Sequence, residues 1–294
     1  MIQNSIFMIH FLFFVKKNHT STTSVSNMVK NSISAFLRSI RLLYWSDYLV
    51  FFINKIRFHK KNRQFVKKNP AVVLPPDYLI YESFQLDYKK YYTDSIETAE
   101  WLTRLFRKHS DLYNVNILDW GCGPARIIRH LPALIGNSSV FFGTDYNGHT
   151  IDWCRKNIPG ITFSVNNIAP PLDYNDQLFH IIYGISIFTH LSEPMHQKWI
   201  KELHRVLVPG GVLVFTTQGN AFCSKLTSSE LSDFTKGSLV VRGKVKEGHR
   251  TYSAFQPVTY MHDLLKDFVI LEHVEGESEV RPQQDIWIVK KPGN

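Results

Sequence analysis

The 294 residues predict an α/β protein with a doubly wound, mostly parallel sheet, and three observations carry that prediction. From about residue 116 onward, short apolar runs alternate with helical patterns, which calls for parallel strands joined by crossover helices. The first apolar run ends at a carboxylate, Asp119, and turns through Gly121 and Gly123. A later helical stretch stops at Pro209-Gly210-Gly211 and gives way to the apolar run Val212–Thr217. Glycine there can take the left-handed conformation, and proline cannot prolong a helix.

In chain order, the strand Asn116–Asp119 is followed by a predicted helix Pro124–Leu134, with Ile127, Ile128 and Leu131 as its apolar positions. Proline suits a first helical turn because its missing N–H would have had no partner there. A second strand, Val140–Thr144, precedes a helix Gly148–Asn157. Pro159-Gly160 turns the chain into a third strand, Ile161–Val165, and a fourth covers Phe179–Ile185. The helix Glu193–Leu207, the strand Val212–Thr217, a helix Val258–Phe268 and the strands Val269–Val274 and Ile286–Lys290 complete the pattern. Before the first strand, Ile96–His109 reads as a helix with Ile96, Ala99, Leu102 and Phe106 on one face. Residues 218–257 show no period and hold Arg242, Lys244, Lys246, His249 and Arg250; so long an irregular stretch reads as a cover over a substrate site.

The two glycines permit positive φ and a close approach of backbone to a ligand. Asp145 lies at the end of the second strand, where an acidic side chain can grip a pair of ribose hydroxyls. A dinucleotide loop would carry a third glycine three residues after Gly123, and that position is Arg126. The ligand expected is therefore smaller and nucleoside-like, with an amino-acid part near Asp119 and Gly121.

At these residues the chain resembles the class I S-adenosylmethionine-dependent methyltransferases, with a type 11/12-like domain. Asp119-Trp-Gly-Cys-Gly123 is similar to their first motif, Asp145 to the second, the run 181–191 to the fourth strand, and residues 202–216 to the helix, turn and fifth strand. The resemblance covers roughly residues 80–291 and departs at Ala125, where the family has a third glycine, and at His180, where an aspartate often opens the fourth strand. It implies a seven-stranded Rossmann-like sheet closed by antiparallel strands, and S-adenosylmethionine as cofactor. It further implies that Asp119, Gly121 and Gly123 hold the methionine part and that Asp145 accepts from the ribose. Tyr146 would lie beside the adenine, Asn167 would read its amine, and Ser186 would face the methyl. An ordinary turn asparagine is the competing reading of Asn167.

Methyl transfer to a sugar or alcohol oxygen would need a general base, and His190, just past the fourth strand, is the candidate catalytic residue. With 13 histidines in the chain, a structural hydrogen-bonding role is the alternative. The Asp/Asn-Pro-Pro-aromatic run used for methylating base amines is absent; the corresponding place reads Tyr-Gly-Ile-Ser over residues 183–186. Nucleic acid is thus not the expected partner, and a small-molecule or glycan acceptor is. Residues 188–192, 216–219 and 284–287 resemble poorly characterised members of the superfamily, some linked with carbohydrate biosynthesis. The rival class is a non-catalytic S-adenosylmethionine-binding or scaffold module on the same fold.

Charge divides the chain in two. Residues 1–68 hold 12 Lys/Arg and one acid, Asp47, so the net +9 of the whole leaves the remainder slightly acidic. Residues 1–69 therefore read as a basic, largely helical extension, and residues 70–294 as the methyltransferase-like domain, with Pro70 and Pro75-Pro76 at the boundary. The apolar run Ile6–Val15 is too short to span a bilayer and lacks the cationic start and cleavage site of a signal peptide. A polar linker, residues 20–27, follows, and translation starting at Met28 is an alternative reading of this end. Phe36, Leu37, Ile40, Leu43 and Tyr44 fall at helical spacing among cations, and aromatic and basic residues continue to Lys68. Such a segment suits either an anionic membrane surface, through residues 28–68, or packing on the domain with its cations in water. Three cysteines are too few and scattered for a disulfide framework or a zinc site; Cys122 reads as a small residue that fits its turn, and no metal is expected. The expected location is the cytoplasm, with the periphery of a membrane as the alternative.

Overall fold

A computed structural model describes residues 43–83, 85–277 and 282–293. Seven strands form the main sheet: β1 (Asn116–Trp120), β2 (Val140–Asp145), β3 (Thr162–Val165), β4 (Phe179–Gly184), β5 (Leu207–Thr217), β8 (Val269–Val274) and β9 (Asp285–Lys290). Two short strands, β6 (Val240–Arg242) and β7 (Ser253–Phe255), pair separately. The described helices are α1 (Leu43–Lys68), α2 (Asp77–Ser83), α3 (Tyr88–His109), α4 (Leu131–Ile135), α5 (Gly148–Asn157), α6 (Glu193–Val206), α7 (Ser228–Thr235) and α8 (Val258–Leu264).

The main sheet runs β3-β2-β1-β4-β5-β9-β8, with the first five strands parallel and β9 antiparallel to both of its neighbours, β5 and β8. The expected α/β architecture, seven strands included, is what the chain adopts. Its order reverses between β1 and β4, and in open sheets of this kind ligands bind outside the carboxyl ends of the strands at that point. Alternate side chains feed two cores. Ile117, Ile181, Tyr183, Val212 and Val214 pack toward α3, α4 and α5. Leu118, Ile182, Leu213, Phe215 and Trp287 pack toward α6 and α8. Burying one such aliphatic side chain contributes about 1.5–3 kcal/mol, so both faces hold the sheet. His180, where an aspartate was expected, accepts from the Asn116 N–H at Nδ1 (3.1 Å) and so ties β4 to β1 as an acid could.

Five elements differ from the sequence reading. The helix expected over Pro124–Leu134 is a run of turns, a single 3₁₀ turn at Ile128–His130 and the short α4. Ala125 has φ of 56°, outside the helical range, and the carbonyl of Pro124 accepts from Tyr91 Oη (2.6 Å) rather than from a helical N–H. Helix α3 begins eight residues earlier than Ile96, capped by Asp87, whose carboxylate accepts from Lys90 N. Its first turns bury Tyr91 and Ser95, which an apolar periodicity does not register. The terminal helix is shorter, ending at Leu264. The strand expected over Val212–Thr217 starts at Leu207, so Pro209-Gly210-Gly211 lies within β5, and α6 ends at Val206 before reaching it.

The fifth difference is the cover. Residues 218–257 form a small folded unit containing a 3₁₀ helix (Asn220–Lys225), α7 and the β6–β7 ribbon around Phe222, Phe234, Val240 and Phe255. A reciprocal capping box between Thr227 and Glu230 starts α7, and Arg242 pairs with Glu230 at 2.7 Å. The ends of the unit clasp each other: Gln256 N donates to the Gln218 carbonyl (3.0 Å), and Gln218 N donates to Gln256 Oε1 (2.9 Å). Gln256 Nε2 also donates to the Phe188 carbonyl (3.1 Å). Strands of three residues are too short for any period to show.

Helix α1 lies against the domain. Phe51 packs with Tyr78 and Tyr81, and Phe65 with Tyr88 and Tyr92. Lys61 pairs with buried Asp87, Lys55 pairs with Asp77, and Asn62 accepts from Tyr88 N. No described helix is long and apolar enough to cross a membrane. The expectations for residues 1–42 lie outside the described residues.

Candidate active-site cleft

At the carboxyl ends of β1, β2 and β4 a cleft of about 910 Å³, counted out to its open mouth, is lined from three directions. The sheet supplies Gly121, Gly123, Asp145, Tyr146, Asn147, Asn166, Asn167 and Ser186; α2 supplies Leu79, Glu82 and Ser83; the cover supplies Gly248 and Arg250.

The loop after β1 is held by backbone. Gly121 and Cys122 N–H both donate to the Thr144 carbonyl (2.8 and 2.9 Å), and Gly123 N–H donates to Asp145 Oδ2 (3.0 Å). With these donors spent, the loop can offer a ligand carbonyl oxygen, which suits an ammonium group. Gly121 has φ of 77°, and a Cβ there would lie 2.1 Å from Ile187 Cδ1, so the position admits no side chain without displacing that residue. Ala125 takes a left-handed φ at the place where the resembling family has glycine.

Asp145 ends β2 with its second oxygen, Oδ1, accepting from Asn147 N (2.9 Å). Burial raises its pKa, and the hydrogen bonds from the Asn147 and Gly123 N–H groups oppose that rise. A carboxylate has about four lone-pair sites, so two backbone bonds leave capacity for a diol. Glu82, which sequence reasoning missed, accepts from Asn147 Nδ2 (3.1 Å) and brings a second acid to the same wall. Its pKa is raised, first by burial and then by Asp145. Tyr146 reaches toward the Gly248 carbonyl (3.4 Å) with Lys246 5.5 Å from its ring centre. Asn167 is an exposed wall residue; its neighbour Asn166 is the one tied to the sheet, accepting from Thr144 Oγ1 (2.8 Å). These groups fit an adenosine carrying an amino acid: a half-buried acceptor-only carboxylate for the ribose, a bare glycine loop, and Leu79, Ile168 and Ile185 for a flat apolar ring.

Asp119 is not a wall residue. It lies beneath the loop, 4% exposed, accepting from Tyr183 Oη (2.7 Å) and near the Arg126 guanidinium. Burial lifts its carboxyl to about 7, against the hydrogen bond from Tyr183 and the charge of Arg126. Its hydrogen bond ties β1 to β4 beneath the loop.

Ser186 has a left-handed φ of 63°, an uncommon conformation for a residue with a side chain. Its N–H donates to Thr216 Oγ1 (2.8 Å), its hydroxyl donates to Gln284 Oε1 (2.8 Å), and Thr216 also donates to Gln284 (2.6 Å). Three elements thereby fix one turn at the mouth of β4. His190 lies just beyond, its Nδ1 2.7 Å from the Tyr252 carbonyl. A carbonyl can only accept, so the ring proton sits on Nδ1 and Nε2 carries the lone pair. Burial lowers the imidazole pKa, which keeps the ring neutral at pH 7. Gly248 closes over this end: its N–H donates to the His190 carbonyl (2.9 Å), and a Cβ there would meet Ile168 Cδ1 at 2.7 Å.

Arg250 completes the cover's wall and reaches out of the unit that carries it. Its guanidinium stacks on Tyr81 (4.2 Å) and pairs with Asp47 of α1 (2.8 Å), while Tyr81 Oη donates to the same carboxylate (2.9 Å). Three segments far apart in sequence meet at that point. No local pattern signals such a junction, although the basic run containing Arg250 did mark the stretch as a wall.

Residues 117–211 match the family described as "Methyltransferase domain". Over 151 residues the chain is 28% identical to phthiotriol/phenolphthiotriol dimycocerosates methyltransferase 1 of Mycobacterium ulcerans, covering 48% of this chain. The match takes in 54% of that protein, so the chain spans about half the length of this curated relative. In fold it is similar to a SAM-dependent methyltransferase of Methanosarcina mazei, with a TM-score of 0.51, 21% identity, and coverage of 65% of this chain and 98% of that one. A Pyrococcus horikoshii protein gives a TM-score of 0.50 at 17% identity, covering 69% and 95% respectively.

Proposed function

The chain carries a class I S-adenosylmethionine-dependent methyltransferase domain, and on that premise we propose that it methylates an oxygen of a small molecule or glycan. The observation that carries this reading is His190, whose Nδ1–H is committed to the Tyr252 carbonyl, leaving a basic Nε2 on a ring that lines the cleft. The cofactor supplies an activated methyl on a sulfonium when bound. The residues of the chain then have to orient and deprotonate. Asp145 and the loop at Gly121 and Gly123 would hold the adenosine and amino-acid parts, with Asp119 supporting the loop from below. Tyr146 and Asn167 would flank the base, and Ser186 would border the methyl. His190 Nε2 would take the hydroxyl proton as the acceptor oxygen attacks, a contribution of typically 10²–10⁴-fold. The phthiotriol methyltransferase named above supports an alcohol as the acceptor class.

The test combines methyl-labelled S-adenosylmethionine with fractionated cell extract and identifies labelled products by mass spectrometry. A product labelled on oxygen is expected, with His190→Gln lowering its formation by about 10²–10⁴-fold while calorimetric cofactor affinity stays within twofold. The acid limb of the rate should fall below pH 6.5, since the lowered pKa keeps the base unprotonated above it. Label on nitrogen or carbon, or normal turnover by His190→Gln, would overturn the reading. Cofactor binding with no product in any fraction would favour a binding module instead.

A further inference from the structure

Helix α1 has two apolar faces. Phe51 and Phe65 point inward, 6% and 7% exposed. Leu49, Phe52, Ile53 and Ile56 point outward at helical spacing, and Ile56 is 79% exposed. The same outward line continues through Lys60, Arg63 and Lys67, all exposed. The 26-residue helix holds seven Lys/Arg against one acid, Asp47, which is already paired with Arg250. Lys55 and Lys61 pair with acids of the domain, while no ion pair among the described residues involves Lys60, Arg63, Lys67 or Lys68.

We propose that this outward face of α1 docks on an anionic lipid bilayer. An apolar stripe continued by cations lets Leu49, Phe52, Ile53 and Ile56 enter the acyl boundary while Lys60, Arg63 and Lys67 meet the headgroups. Long basic side chains keep their charges in the headgroup layer while their stems cover apolar surface. A second copy of the chain is the poorer occupant: a parallel symmetric contact sets cations against cations, and an antiparallel one along the stripe sets Lys60, Arg63 and Lys67 against Leu49, Phe52 and Ile53. Docking at this face sets the apolar end of α1 on the bilayer. Asp47, at that end of the helix, holds Arg250 of the cleft wall, so the mouth of the cleft would stand near the lipid. The inference concerns binding alone and does not depend on the identity of the methyl acceptor.

The full chain is sedimented with phosphatidylcholine vesicles and with vesicles containing phosphatidylglycerol, at low and physiological salt. Binding to the anionic vesicles is expected, weakening as salt screens the charges. Lys60→Glu with Arg63→Glu should reduce binding by roughly fivefold or more per charge removed. Phe52→Ser with Ile56→Ser should reduce it at least tenfold with cofactor affinity and melting temperature unchanged, since both side chains are exposed. Indifference of the full chain to anionic vesicles at low salt would overturn the proposal. So would undiminished binding by the two double variants, which would move the contact elsewhere. Loss of self-association in Phe52→Ser/Ile56→Ser without any change in vesicle binding would assign the face to a second copy and equally overturn it.

Discussion

The two ends of the cleft are held by different physics. Around Gly121, Gly123 and Asp145 the wall is tied by backbone N–H groups to strand ends, with the loop after β1 bonded to the end of the neighbouring β2. Around Arg250 the wall is tied by side chains, through an ion pair and a ring stack, to a helix about two hundred residues earlier. The first arrangement tolerates little change in backbone and much in side chains. The second can be dismantled by one carboxylate. A cofactor whose shape never varies suits the first, and an acceptor that differs among relatives suits the second.

The largest test of this contrast is Asp145→Ala. Each charge-assisted hydrogen bond from a ribose hydroxyl contributes about 1.5–3 kcal/mol. Cofactor affinity by calorimetry should fall at least about tenfold, and a change under threefold would remove Asp145 from the cofactor end. Next is the pH dependence of stability. Asp119 has a folded pKa of about 7, raised by burial, so the folded protein binds this proton more tightly than the unfolded chain does. Its contribution is full below the unfolded carboxylate value of about 3.9 and is lost as pH rises to about 7, at up to about 1.4 kcal/mol per pH unit. Melting temperature measured from pH 5 to 8 should therefore fall in the wild type and flatten in Asp119→Asn. A wild-type slope retained in the variant would assign it to other groups.

A smaller effect is expected at the other end. Asp47→Asn should leave cofactor affinity alone and raise the acceptor KM a few-fold, with Arg250→Gln non-additive by about 0.5–3 kcal/mol in a double-mutant cycle. Strict additivity would mean that the pair does not hold the wall. Smallest of all is Ala125→Gly. Relief of a left-handed alanine, about 1–2 kcal/mol, is offset by the lost burial of one methyl, about 0.8 kcal/mol, and by the added freedom of the unfolded chain. Urea denaturation should show a net change below about 1 kcal/mol.

The same contrast explains what the sequence could reveal. Most of the strands and the segment Gly148–Asn157 were legible because each rests on local pattern, and α5 has the predicted bounds; Pro209-Gly210-Gly211, read as the stop of a helix, lies inside β5, since α6 already ends at Val206. The loop and Asp145 were legible because glycine and a strand-tip acid carry conformational meaning by themselves. The helix after the loop was misread because Ala125 adopts a backbone conformation that its identity disfavours. Glu82, Asp47 and Arg250 could not be assembled, since their juxtaposition depends on how α1, α2 and the cover pack. The extension looked separable on charge alone, yet Phe51, Phe65 and Asn62 bury it against the domain.

The clasp between Gln218 and Gln256 has a consequence for how such a protein can diversify. Both termini of the cover meet at one spot, joined by two reciprocal hydrogen bonds at the tip of β5, so what lies between them behaves as a cassette. Its own hydrophobic cluster and capping box travel with it. A different cassette grafted between the same two glutamines would present a new roof to the acceptor without moving a strand, and the old cofactor grip would serve it unaltered.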